Sequence, residues 1–279
     1  MTLGHCTFCT LDGLELVDSH YLSKSAFKGF LSDELECPHP LILKNGRMFQ
    51  SSEQVHDVAF CRPCEEIFNR AGENWLLPKL ASANHGFPLR DLVKTAPFTL
   101  LPPDEEMRLY RCGHSGEIDC DSLSHFGLGI FWKGHAHKWE RCERLSLGHF
   151  GEGLRLYLRG EGPFPKDAAL NVTIVPCNQP LWSGRLPMQT QKSPYHSFNF
   201  YLRGLEFTLS VGKAVPGDLR EWCLIGNSDR PILAGMDVLR YEWETMRLLK
   251  ENAIPSRKLA EFESKPRNHT LRPPSGPDW

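Results

Sequence analysis

The chain predicts an α+β fold in two parts, and three observations carry that prediction. Residues 1–90 hold two Cys-x-x-Cys pairs, Cys6/Cys9 and Cys61/Cys64, in a stretch with few periodic segments. Residues 120–160 place apolar side chains at helical spacing. After the second helix the pattern turns to β-branched and aromatic alternation, as in "ALNVTIVPC" and "HSFNFYLRGLEFTLSV". The expected layout is a small metal-braced module at 1–90, a linker at 91–110, a mixed α+β domain at 111–263 and a disordered tail at 264–279. That tail is too poor in apolar residues to fold alone.

Taken in chain order, short extended pieces flank each cysteine pair, and "SKSAFKGFLSDEL" reads as a short helix after His20. Pro63 suits a turn entering a helix over "CEEIFNRAGENWLLPKL", with Ile67, Phe68 and Trp75 facing inward. "KTAPFTLLPPDEE" is poor helix material because of Pro97, Pro102 and Pro103. "CDSLSHFGLGIFWKGHAHKWERCERL" predicts a long, mostly buried helix on which Leu123, Phe126, Ile130 and Phe131 recur at helical spacing. Gly127, Gly129 and Gly134 count against it. "HFGEGLRLYLRGE" predicts a shorter helix ending near Gly160. The two apolar runs around Arg203-Gly204 read as a strand pair with a tight turn, and "RPILAG" as a short strand. "MDVLRYEWETMRLLKEN" reads as an amphipathic helix with Asp237 near its start.

A chain of 279 residues can build one large core or two modest ones. Its 41% hydrophobic and 24% charged residues are ordinary for a globular protein. A formal net charge of -2 excludes a global attraction to nucleic acid, so any such contact needs a local patch. The best patch is Lys138, Arg141, Arg144, Arg155 and Arg159, for which a solvated helix face is the plainer account. No run approaches the roughly eighteen apolar residues that span a bilayer. Met1–Cys6 has neither the basic start nor the apolar run of a signal peptide. The expectation is a cytoplasmic protein without a membrane partner, whose ten cysteines stay reduced. No GxSxG, phosphate loop or HExxH occurs, which leaves little support for a hydrolase or transferase centred on the second domain.

Four thiolates from two such pairs suit a tetrahedral structural Zn²⁺, and Cys6, Cys9, Cys61 and Cys64 are the expected ligands. An ion there would add folding energy to a stretch with few regular elements. Cys37, Cys112, Cys120, Cys142, Cys177 and Cys223 read as buried free thiols. Cys112, His114 and Cys120, or His135 and His137, could offer further ligands. Positions i and i+2 point to different sides of a helix, however, so ordinary histidines are the preferred account.

The order Cys6-x-x-Cys9, Ser19-His20 with Lys24, then Cys61-x-x-Cys64-Glu65 resembles the four-cysteine branch of the HNH, or ββα-metal, endonucleases. That likeness covers roughly residues 1–80. More narrowly, the chain resembles poorly characterised bacterial proteins with a CxxC…SHxxxK…CxxCE head, an "FW" helix like Phe131-Trp132 and a "VGK" strand end like Val211-Gly212-Lys213. The resemblance implies a metal-dependent nuclease hydrolysing phosphodiester bonds of DNA, or of RNA, in bacterial or phage defence. It implies that His20 is the general base, that His56 supports it, and that Glu65 holds a catalytic Mg²⁺ or Mn²⁺ with Asp18 and Asn69 nearby. Lys24, Lys138, Arg141 and Arg144 would then meet nucleic acid. Two positions depart from the family pattern. Ser19 stands where Asp, Glu or His is usual, and Tyr21-Leu22-Ser23 replaces Ile-x-Pro. The alternative is a non-catalytic zinc module that binds nucleic acid or a protein partner. It draws on Ser19 and on the aromatics Trp132, Trp139, Phe198, Phe200, Tyr201 and Trp222, which otherwise read as core.

Overall fold

The computed structural model describes residues 2–28, 41–44, 47–50, 54–81, 86–102, 107–140, 142–176 and 184–237, with residues 240, 244 and 254–255. The sequence predictions for Cys37, Arg141, Cys177, the tail at 264–279 and most of "MDVLRYEWETMRLLKEN" lie outside them. Along the first part run β1 (Thr2–Cys6), β2 (Leu11–His20), α1 (Lys24–Lys28), β3 (Leu41–Lys44), β4 (Arg47–Gln50) and β5 (His56–Cys61). Strands β1, β2 and β5 form an antiparallel sheet in that order. β3 and β4 form a separate hairpin, with the short β13 (Ile254–Pro255) parallel to β4.

Helix α2 (Arg62–Phe68) starts at the second cysteine pair, with Pro63 in its first turn, where a missing N–H costs nothing. It runs on through a π-helical turn (Asn69–Glu73), α3 (Asn74–Leu76) and a 3₁₀ turn (Leu77–Lys79). Of the inward positions the sequence predicts there, Phe68 is buried, while Ile67 and Trp75 are half-buried.

After α4 (Pro88–Val93), the stretch 91–110 supplies β6 (Phe98–Leu100) and the start of β7 (Arg108–Arg111). Pro97 stands just before β6 at the sheet edge, where no N–H is needed, and its carbonyl accepts from Arg111 N at 2.8 Å. These are the first strands of a seven-stranded sheet ordered β6-β7-β12-β8-β11-β10-β9. The remaining strands are β8 (Ala168–Ile174), β9 (Gly184–Gln191), β10 (His196–Leu202), β11 (Leu205–Val211) and β12 (Pro231–Ala234). All neighbours are antiparallel except β12 and β8. The β10–β11 turn places Arg203 at φ 45° and Gly204 at φ 92°, the double positive φ that a two-residue hairpin needs.

Helix α5 (Cys120–Ala136) is buried on nearly every side. Phe126 and Phe131 pack on Phe207 and Phe200 of the large sheet, with centroids 5.8 and 5.0 Å apart. Its Trp132 meets Phe8, Phe60 and Phe68 of the N-terminal head. The glycines that weaken the sequence-based case for this helix allow both contacts. A Cβ on Gly127 would lie 2.5 Å from the Phe207 ring, and one on Gly129 would lie 3.1 Å from Phe68. Head and sheet therefore share one continuous core through α5. Two shorter helices, α6 (Phe150–Leu158) and α7 (Gly217–Glu221), complete the mixed α+β architecture that the sequence predicts.

Candidate metal centre and the histidine end of its sheet

The first cysteine pair closes the β1–β2 hairpin, and the second lies at the end of β5 and the start of α2. The antiparallel register sets Leu16 of β2 opposite Cys61, which brings the pairs together. One Sγ from each of Cys6, Cys9, Cys61 and Cys64 lies within 4.8 Å of the others. Cys9 Sγ and Cys61 Sγ are 3.9 Å apart. Tetrahedral Zn²⁺ with sulfur ligands at about 2.3 Å sets sulfurs about 3.8 Å from one another, so the four thiols fit such an ion.

Cys61 N donates to Cys6 Sγ at 3.4 Å. The Cys6 pKa is lowered, chiefly because the Cys64 thiol donates to it, with backbone N–H groups adding to the effect. Cys64, the donor, is raised, and burial raises Cys61.

Helix α6 adds positive charge at this end. Arg155 Nη1 donates to the carbonyl of Phe8, inside the first pair, at 2.8 Å. The Arg159 guanidinium lies 5.6 Å from the Phe8 ring centroid, and its proton is held first by Glu161 and then by Cys64 and Cys9. Arg155 also grips Glu152, and Arg159 grips Glu161. Two members of the sequence-predicted basic patch are therefore engaged at the thiol cluster.

At the opposite end of the β2–β5 ladder, His20 and His56 are register partners, with rings stacked at 5.4 Å. His56 Nδ1 donates to Asp18 Oδ1 at 2.6 Å, which leaves Nε2 as the free nitrogen of that imidazole. His20 is half-buried, and its pKa is pushed down by desolvation first. Lys24 and His56 add to that effect, against an opposing pull from Asp18 and Glu65. Ser19 faces the core, fully buried, with its hydroxyl donating to Val17 O.

Glu65 reaches this end from α2 but meets a cation that the sequence reading did not single out. Lys133 Nζ, with its side chain 1% exposed, lies 3.5 Å from Glu65 Oε1 and 3.9 Å from Glu73 Oε1. The same ammonium donates to the His20 carbonyl at 3.3 Å and sits 4.5 Å from the Phe68 ring centroid. Burial raises the Glu73 carboxyl, and Lys133 opposes that rise. Glu65 Oε2 is buried without a hydrogen-bond partner among the described residues. Asn69, half-buried, follows Glu65 by one turn at the start of the π-helical segment. On the α5 side, His137 Nε2 pairs with Asp57 Oδ2 at 2.9 Å, which lowers the Asp57 pKa.

Among the described residues, the four cysteines are the only group of three or more His, Cys, Asp or Glu side chains close enough to share an ion. Asp18 and Glu65 do not join a second such group. Lys24, Lys138 and Arg144 are exposed, and Arg144 Nε donates to the His135 carbonyl. Trp132, Trp139, Phe198, Phe200 and Tyr201 are buried in the core, and Trp222 is half-buried. No helix among the described residues is long and apolar enough to cross a membrane. No protein-family model, curated protein or solved structure matches the chain.

Proposed function

We propose that the protein is a zinc-braced, metal-dependent phosphodiesterase of the HNH type that cleaves DNA or RNA. The single observation that carries this reading is the strand–strand–helix order of β2, β5 and α2. Four thiols close one end of it, and His20 stands beside His56 at the other, ahead of Glu65 on the helix. Zn²⁺ on the thiols is the structural part. His20, kept neutral by its surroundings, takes the proton from the attacking water. Asp18 fixes the His56 ring through Nδ1 and so presents Nε2 toward a phosphate oxygen or a leaving group. Glu65, through Oε2, and Asn69 are the residues that would hold Mg²⁺ or Mn²⁺, whose chemistry is to stabilise charge on the leaving oxygen. A cytoplasmic role in bacterial or phage defence belongs to the same reading. The test is to incubate purified protein with plasmid DNA or single-stranded RNA and Mg²⁺ or Mn²⁺, comparing wild type with His20→Ala. The expected result is cleavage that falls by about 10²–10⁴-fold in the variant. No cleavage with either metal, or cleavage indifferent to His20, overturns the reading.

One observation favours a second reading. Lys133 already neutralises Glu65 from the protein side, as suits a zinc module that binds nucleic acid or a protein without cutting. The exposed Lys24, Lys138 and Arg144 would then meet phosphates. Neutralising Lys138 and Arg144 would weaken binding and flatten its salt dependence, whereas an unchanged salt slope would assign those residues to solvent.

A further inference from the structure

An open cavity of about 540 Å³ is bordered by α6, and neither the four clustered cysteines nor His20 line it. The residues around it come from α6, the 164–168 loop, α7 and the 223–230 segment. From these observations we infer a binding site for a small planar anion of the mononucleotide class, a heteroaromatic ring carrying one phosphate.

Size is the first observation, since small-molecule sites fall in the range of about 300–1,000 Å³. The second is the wall. Tyr157 and Phe164 meet edge to face with centroids 5.4 Å apart, and Pro165 and Ile225 extend the apolar surface that a planar ring would cover. The third is charge. Lys166, Arg220 and Arg230 line the cavity, and no carboxylate does.

These three cations play different parts. Arg220 donates to the carbonyls of Val215, Lys166 and Lys213 and to Asp167, so it braces the loops around the cavity. Among the described residues, Arg230 donates to the Leu224 carbonyl and to Asp121, which leaves three of its five N–H groups for an incoming anion. Its backbone sits at φ 46°, in the left-handed region that non-glycine residues seldom adopt. Lys166 is exposed and shows no side-chain partner among the described residues. A phosphate would lie between Lys166 and Arg230, with the ring against Tyr157 and Phe164.

The test is titration calorimetry on the full chain, with AMP, adenosine and inorganic phosphate as separate probes. AMP is expected to bind at submillimolar concentration, with adenosine and phosphate each weaker by at least about tenfold. Lys166→Ala, at an exposed position, and Tyr157→Leu should each weaken AMP by about tenfold. Arg230→Lys serves as a second probe of the phosphate end, because it keeps the charge and removes the fork. No AMP binding at millimolar concentration, AMP affinity untouched by both Lys166→Ala and Tyr157→Leu, or phosphate alone binding as tightly as AMP overturns the assignment. His20→Ala should bind AMP like wild type, so failure here and failure of the nuclease reading are told apart.

Discussion

Compare the two ends of the β2–β5 ladder. At the Leu16–Cys61 rung the chain gathers four thiols, three of them buried, with sulfurs within 4.8 Å of one another. At the His20–His56 rung, about 14 Å further along by strand geometry, it gathers imidazoles and a carboxylate that stay in contact with water. The Asp18 and His56 side chains are about half exposed there. A closed set of four soft ligands is what a structural ion wants, whereas reaction chemistry needs polar groups with a side left open. The same pair of strands supplies both because two antiparallel strands have two ends, and only one is capped by the cysteine turns.

The largest effect should come from breaking the closed end. Cys64→Ser is expected to reduce bound zinc from stoichiometric to background by elemental analysis. Stability should fall by several kcal/mol, structural zinc being worth roughly 10–16 kcal/mol in isolated peptides. Because head and sheet share the α5 core, the loss should reach the whole thermal transition. A melting curve unchanged by chelation would show that the thiols hold nothing of structural consequence. His20→Ala should do the opposite, removing cleavage while zinc content and melting temperature stay at wild-type values. If that variant also loses zinc, the two ends are not separate sites.

Lys133 comes next. Lys133→Met leaves the buried Glu73 and the half-buried Glu65 without their cation, and it should cost about 3–5 kcal/mol in urea unfolding. Adding Glu73→Gln should return part of that. A loss below about 1 kcal/mol would mean that the ammonium does not hold this end together. The smallest effect concerns His125, whose Nε2 donates to the Leu158 carbonyl and whose buried Nδ1 has no partner among the described residues. Desolvation pushes its pKa below the ordinary value of 6.5. The unfolded chain therefore takes up a proton near pH 6.5 that the folded chain refuses. Stability is fully present above that pH and is lost as pH falls through the window beneath it. His125→Gln should lose less stability than wild type between pH 7 and about pH 5.5, by an amount of order 1 kcal/mol. Parallel pH profiles would remove His125 as a source of acid sensitivity.

Cysteine spacing made the closed end legible, because pairs of thiols two residues apart have few other uses in a reduced chain. The β10–β11 hairpin was legible through Arg203-Gly204, and α5 through its apolar spacing. Harder to read were β6, β7 and β9. The first two are short, and β9, "GRLPMQTQ", carries Pro187 and little hydrophobic alternation. An edge strand is paired on one side only, which permits both features. The glycines of α5 read as weaknesses because the rings that approach them, Phe207 and Phe68, lie far away in sequence. Lys133 had a signal, a lone cation inside the apolar run "FGLGIFWKGHA". Its partners Glu65 and Glu73 are distant in the chain, so only folding reveals what it serves.

The Arg155 and Arg159 contacts at Phe8 bear on what happens when the ion leaves. A loaded cluster of four thiolates around Zn²⁺ is a dianion, and the Arg155 and Arg159 guanidinium groups lie beside it while each also holds a carboxylate, Glu152 and Glu161. Stripped of metal, the cysteine turn that carries the Phe8 carbonyl would lose its brace, and the bond from Arg155 would anchor α6 to a looser partner. Loosening on demetallation should then begin at residues 150–158, far along the chain from any cysteine ligand, and hydrogen exchange there would give the earliest sign of an empty head.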